Sequence, residues 1–331
     1  MNNDNPLIAI LLGDPSGIGP ELVSKLLNNK SKNLDVVIIG EKKIAENGDK
    51  IAKNRSNYHI IKNIKEFNKK TKKINFIDIS LRKKRNYPIG KCSSKSGASV
   101  LESLRYSLKL AKKKVIDGIL FSPFNKASMK MAGSEHEDEL HLMAKELSLK
   151  NFFCELNVLN NFWTSRVTSH VDLKKVPTMI NKESVLKPII LINKTLKKAG
   201  INKPRIAVCG INPHAGDSGM FGREEIELIK PAIKKAQKRG INATGPYPAD
   251  TIFIKAYKKK EFDALVTMYH DQGQIAMKLI GFNKGVTVQG GLPFPVITPA
   301  HGTAFDISSK GIADPSGIIE AYKLIYKMTK K

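Results

Sequence analysis

Three histidines stand in short polar breaks between apolar runs: Thr168-Ser169-His170-Val171, Asn212-Pro213-His214-Ala215-Gly216 and Met268-Tyr269-His270-Asp271-Gln272-Gly273. Each follows an apolar run that reads as a buried strand, and strand ends in α/β proteins are where ligands collect. Three imidazoles converging there would hold a divalent metal ion and leave a coordination position open for substrate. The chain has only seven histidines, so this placement is informative. Asp271 stands where it would orient a ligand or relay a proton. Lys278, on the helix that follows, would bind an acidic group. Asp250, in Pro248-Ala249-Asp250-Thr251, lies at an expected helix start, where an aspartate also serves simply as an N-cap.

Glycine-rich turns accompany these residues. Gly13-Asp14-Pro15-Ser16-Gly17-Ile18-Gly19-Pro20-Glu21 follows the first strand and opens a helix, whose N-terminus favours an anion. It is neither the spaced dinucleotide fingerprint nor a P-loop. The loop from Gly210 to Gly222 lets a backbone approach a ligand closely, and Pro213 fixes the chain just before His214. His301-Gly302-Thr303-Ala304-Phe305-Asp306-Ile307 leads to Gly311-Ile312-Ala313-Asp314-Pro315, where backbone groups and one imidazole can contact a flat heterocycle.

The elements that must position these residues are legible as periodicities. Leu7–Leu12, Val36–Ile39, Ile74–Ile79, Gly118–Phe121, Arg205–Cys209, Ala264–Met268 and Gly285–Val288 read as strands. Ser96–Val115 reads as a helix with Leu101, Leu104, Leu108, Ala111 and Val115 on one stripe. Glu183–Ala199, Arg223–Arg239 and Pro315–Met328 read as further helices. This alternation predicts α/β layers with a largely parallel sheet. The polar stretch Lys126–Asp138 reads as a crossing between lobes.

At 331 residues the chain can build two domains with full cores. A content of 41% hydrophobic and 26% charged residues excludes a disordered chain. Leu7–Leu12 is too short for a signal segment or a membrane span, so a cytoplasmic protein without membrane partners is expected. Three scattered cysteines, Cys92, Cys154 and Cys209, suit neither a disulfide framework nor a zinc spacing. Cys209 ends a strand-like run and reads as a buried small side chain. The net charge of +26, with lysines crowding Lys62–Arg85 and Lys109–Lys114, raises a nucleic-acid surface as one reading. The densest runs lack interleaved aromatics, and no helix-turn-helix or zinc-finger pattern occurs. No nucleic-acid partner is expected, and the charge steers anionic substrates instead.

Taken together, these stretches resemble the 4-hydroxythreonine-4-phosphate dehydrogenase family of vitamin B6 biosynthesis, from Gly13 to the C-terminal helix. The most specific pieces are Asn-Pro-His-Ala-Gly at 212–216, Pro-Ala-Asp-Thr at 248–251, Tyr-His-Asp-Gln-Gly at 269–273 and His-Gly-Thr-Ala at 301–304. The opening turn and the His-Gly-Thr-Ala stretch also resemble the wider isocitrate and isopropylmalate dehydrogenase fold. The resemblance implies two α/β/α lobes with a mostly parallel sheet and the active site in the cleft between them. Residues 1–130 with 285–331 would form the first lobe, and 131–284 the second, with the metal ligands and dimer contacts. It implies a homodimer whose metal site takes histidines from both subunits. His170, His214 and His270 match the metal ligands, and Lys278 matches a substrate-binding lysine. His301, Gly302, Thr303 and Ala304 fall on the cofactor loop, with Asp314 beyond it, for NAD or NADP. Asp250 and Asp271 are the carboxylates nearest to where a proton must move. The implied reaction oxidises a secondary alcohol of a hydroxy acid, with decarboxylation, using zinc, magnesium, manganese or cobalt.

The chain departs from the family where phosphate should bind. Asp138-Glu139-Leu140-His141 stands in place of Gly-His-Thr-Glu, and Thr287 and Val296 replace an asparagine and an arginine. An arginine that clamps phosphate bidentately is not replaced by valine without consequence. Two enzyme readings follow: the parent reaction, with phosphate held by Lys126, Lys278 and backbone amides, or the same chemistry on a different, unphosphorylated hydroxy acid or diol. A metal hydrolase would also use three histidines, but would need no cofactor loop.

Overall fold

In the computed structural model of the chain, residues 5–29, 35–80 and 86–330 are described. Residues 81–85 of the lysine-rich run lie outside them. The chain divides into two compact units, one of residues 1–149 with 292–331 and one of 150–291. The expected divisions stood at 130/131 and 284/285. The stretch 126–138 is not a crossing: it begins with a helix capped by Asn125, and Gly97 packs directly on the Ser128 carbonyl.

The first unit runs β1 (Leu7–Leu11), α1 (Gly19–Asn28), β2 (Asp35–Gly40), α2 (Lys42–Ile51), β3 (Tyr58–Ile61), β4 (Ile74–Asp78), α3 (Ser94–Lys112), β5 (Gly118–Phe121), α4 (Lys126–Met131) and α5 (Glu139–Glu146). The second unit holds β6 (Cys154–Leu159), β7 (Phe162–Arg166), α6 (Val176–Met179), α7 (Lys182–Lys198), β8 (Ile206–Cys209), α8 (Lys230–Gln237), β9 (Ala243–Tyr247), α9 (Ala249–Phe253), β10 (Ala264–Thr267), α10 (His270–Gly281) and β11 (Val286–Gly290). The chain then returns to the first unit as β12 (Val296–Pro299) and α11 (Ser316–Thr329).

The first unit orders its strands β3-β4-β2-β1-β5-β12, all parallel. Apolar runs such as Ile8–Leu11 are fully buried, as strands covered on both faces require. The second unit orders its strands β11-β6-β7-β10-β8-β9, with β6 antiparallel to both of its neighbours. The α/β fold with a mostly parallel sheet is therefore as expected.

Helix boundaries differ for local reasons. α3 is capped by Ser93, which accepts from the Ser96 N–H at 3.0 Å, and it buries Leu101, Leu104, Leu108 and Ala111. It stops short of Val115 because Lys114 takes a left-handed φ of 57°. The helix expected over Arg223–Arg239 is instead a π turn at Glu225–Ile229 followed by α8. Pro231 lacks an N–H to continue the ladder there. Among the described residues no helix is long and apolar enough to cross a membrane.

Candidate active site

β7 and β10 are parallel neighbours, with Arg166 opposite Thr267. Their pairing continues past the strand ends: the Val167 N–H donates to the Thr267 carbonyl at 2.9 Å, and the Thr168 hydroxyl donates to the Met268 carbonyl at 2.9 Å. The two chain segments therefore leave the sheet side by side, and the His170 and His270 rings stand 5.6 Å apart between centroids. His270 opens α10, with its Nδ1 2.7 Å from an Asp271 carboxylate oxygen. Asp271 thus contacts the imidazole it follows. Lys278 is exposed two turns farther along α10. Asp250 lies exposed in the first turn of α9 and does not cap it, since Pro248 holds that position.

His214 lies on the β8 exit, in a run of five residues with left-handed φ from His214 to Ser218. L-residues rarely hold that conformation without external support. Support comes from Glu225, 1% exposed, which accepts from the Ile211 and Asn212 N–H groups at 2.7 and 2.8 Å and from the Asn212 amide at 3.0 Å. Gln272 ties this exit to the His270 turn: it donates to the Gly210 carbonyl at 2.9 Å and accepts from the Met268 N–H at 2.7 Å. His214 itself is exposed, with its ring 6.0 Å from that of Phe221. Among the described residues no set of three His, Cys, Asp or Glu side chains is gathered to hold a metal ion within one chain. His170 and His270 come together; His214 does not join them. Cys209 is fully buried, and burial pushes its thiol up to about 12, so it takes no part.

In the first unit the Gly13 turn supports the His301–Ala304 loop. The Ile18 N–H donates to the Thr303 carbonyl at 3.1 Å, and a Cβ on Gly17 would meet that oxygen at 2.8 Å, so only glycine permits the approach. Ala304 takes a left-handed φ of 42°. Glu21, buried in α1, accepts from the Ala313 N–H at 2.8 Å, while Lys25 donates to the Gly311 and Ala313 carbonyls. Asp314 accepts from the Ser316 N–H at 2.9 Å. Asp14 is fully buried, and burial raises its carboxyl above the ordinary range against the opposing Ser16 N–H. A raised folded value means stability that is fully present below the ordinary carboxylate value of about 4 and is lost as pH rises through the raised value. Asp14→Asn keeps the acceptor, so its melting temperature should match wild type near pH 3 and exceed it at pH 8. A variant less stable than wild type at pH 8 would refute this.

The substrate-binding candidates scatter. Lys126 is exposed at the start of α4, and Glu139 is partly buried in the first turn of α5. Leu140 is 2% exposed and belongs to the core, because it falls on the inner face of α5 with Leu142, Met143 and Ala144. Asp138 caps α5 through the His141 N–H at 2.9 Å and meets the His141 ring at 2.7 Å. Burial alone would raise the Asp138 carboxyl; the His141 N–H and ring and the Lys126 charge outweigh it and hold the group below its usual value. Thr287 is buried and accepts from the Asn157 amide at 3.2 Å, and Val296 is buried in β12. A polar group absent from the sequence reading, Glu155, Asn157, Arg166 and Gln274, surrounds that amide.

The fold and site define a class. A solved 4-hydroxythreonine-4-phosphate dehydrogenase from Klebsiella pneumoniae superposes with a TM-score of 0.86 at 30% identity, covering all of both chains. The protein is an α/β dehydrogenase of the NAD(P)-dependent kind. The description "Pyridoxal phosphate biosynthetic protein PdxA" matches residues 32–325, and the chain belongs to that family. A Pseudomonas aeruginosa protein provisionally named 4-hydroxythreonine-4-phosphate dehydrogenase 2 is 46% identical, over 98% of this chain and 97% of its own. An Oceanobacillus iheyensis protein provisionally named D-threonate 4-phosphate dehydrogenase is 38% identical, over 96% of each.

Proposed function

We propose that the protein oxidises the secondary alcohol of a 4-phosphorylated hydroxy acid with NAD or NADP, followed by decarboxylation, at a site completed by a divalent metal ion. The observation that carries this reading is the His170–His270 pair at adjacent parallel strand ends. Two imidazoles that each place a nitrogen about 2 Å from one ion have centroids roughly 5 Å apart, so the observed 5.6 Å suits a shared ion. When bound, zinc, magnesium, manganese or cobalt supplies Lewis acidity toward a developing alkoxide or enolate. Asp271 holds the His270 ring in orientation. Lys278 is assigned as the cation for the substrate's acidic group, and Asp250 as the carboxylate that moves a proton. The His301–Ala304 loop, with Asp314, receives the dinucleotide, which supplies the hydride acceptor.

His214 completes the ligand set from a second copy of the chain in a homodimer. Its neighbours support a covered surface: Met220 and Phe221 are exposed beside it, and Leu279 on α10 is 84% exposed. Such apolar exposure on the unit that carries the histidines marks an interaction face.

One observation favours a second reading. Around 138–141 the structure presents a capping aspartate and a core leucine, and the first unit has valine at 296. These do not greet a phosphate dianion, so the same chemistry on an unphosphorylated hydroxy acid or diol is the alternative. NADH formation with 4-phosphohydroxy-L-threonine, D-threonate 4-phosphate and their dephosphorylated forms separates the two. Turnover confined to phosphorylated compounds is the expected result. Turnover of only the dephosphorylated ones would establish the alternative.

A further inference from the structure

Arg166 is 5% exposed at the end of β7, four residues before His170. A buried guanidinium must have its donors answered. Its Nη2 donates to Glu155 at 2.5 Å, its Nη1 to the Asn157 side-chain oxygen at 2.8 Å, and its Nε to the Ser169 hydroxyl at 2.9 Å. Ser169 is the residue before His170. The same Asn157 oxygen accepts from Gln274 at 2.5 Å, and the Asn157 amide nitrogen donates to Thr287 at 3.2 Å. Gln274 lies one turn after His270 on α10 and one turn before Lys278.

Asn157 is therefore a hub. Through Arg166 it reaches the segment that carries His170, and through Gln274 it reaches the helix that carries His270 and Lys278. Buried ion pairs are often replaceable by apolar residues with no loss of stability, so stability alone is a weak reason for a charge here. Orientation is a better one: groups behind metal ligands typically change affinity by roughly 10–100-fold when removed.

We infer that Asn157 and Arg166 are positioning residues that set the spacing of His170 and His270 and hence the affinity for the divalent ion. The inference rests on the metal reading given above. It concerns no contact with substrate. The pair fixes one strand exit against one helix start, and a loosened pair of imidazoles binds an ion less well although both remain present.

The test is a competition titration of zinc between the full-length protein and a chelator of known affinity. Asn157→Leu keeps the volume and removes both links. Asn157→Asp keeps the acceptor for Arg166 and Gln274. The expected result is zinc binding weakened roughly 10–100-fold in the leucine variant and largely restored in the aspartate variant, with lost activity returning in excess zinc. Gln274→Leu, at a half-buried helix position, gives the same weakening and stands in if Asn157→Leu does not fold. Folded Asn157→Leu or Gln274→Leu protein that binds zinc as tightly as wild type overturns the inference. Wild-type protein that binds no divalent ion overturns the metal reading itself, so the two failures are distinguishable.

Discussion

Replacing His270 with alanine is expected to lower kcat/KM for NADH formation by at least about a thousandfold. That factor corresponds to about 4 kcal/mol of lost transition-state stabilisation, within the several kcal/mol a Lewis acid supplies. The fold should survive, because His270 is only the first residue of α10. That helix packs through Gly273 and Met277 and is tied down by Gln272 and Gln274. Circular dichroism and the melting temperature should stay close to wild type, while divalent-ion binding is lost. A folded His270→Ala protein within tenfold of the wild-type rate would remove His270 from the site.

Glu225→Ala is expected to cost about 3 kcal/mol or more, since it strands the Ile211 and Asn212 N–H groups and removes one of the two acceptors of the Asn212 amide. For a unit of this size that lowers the melting temperature by roughly 6–12 °C. The loss has a functional side. Glu225 braces the turn that leads into the left-handed run at His214–Ser218, and without it those residues relax toward ordinary backbone geometry. Activity should fall further than stability predicts when measured at a temperature where the variant remains folded. Glu225→Gln keeps one acceptor oxygen and should lie between the two. A Glu225→Ala protein that melts with wild type would mean the loop is held by other contacts.

The parts of the fold that were legible in the sequence are those where burial imposes a simple period. Ile8–Leu11 and Ala264–Thr267 read as strands because both faces are covered. β6 and β7 were missed, and the cause is physical. Their Glu155, Asn157, Thr164 and Arg166 break the apolar pattern, and Glu155, Asn157 and Arg166 join in the network behind the histidines. A turn signal was present: Asn160 and Asn161 both take left-handed φ, as a two-residue hairpin needs. Of the site, the three histidine segments were legible because they sit at element boundaries. That His170 and His270 meet was not, since it depends on β7 pairing with β10, strands that are not neighbours in sequence. Leu140 was read as a substrate contact from its place in a motif, whereas the inner face of α5 claims it for the core.

The most direct test of the account mixes two inactive proteins. His270→Ala and His214→Ala proteins are combined in equal amounts, allowed to exchange subunits, and assayed for NADH formation with added divalent ion. If the protein is a dimer in which each site draws its histidines from two chains, half the dimers become mixed and each of those holds one intact site. About a quarter of wild-type activity should then appear. Activity that stays at the level of the separate variants, with exchange verified, would contradict a site built from two chains.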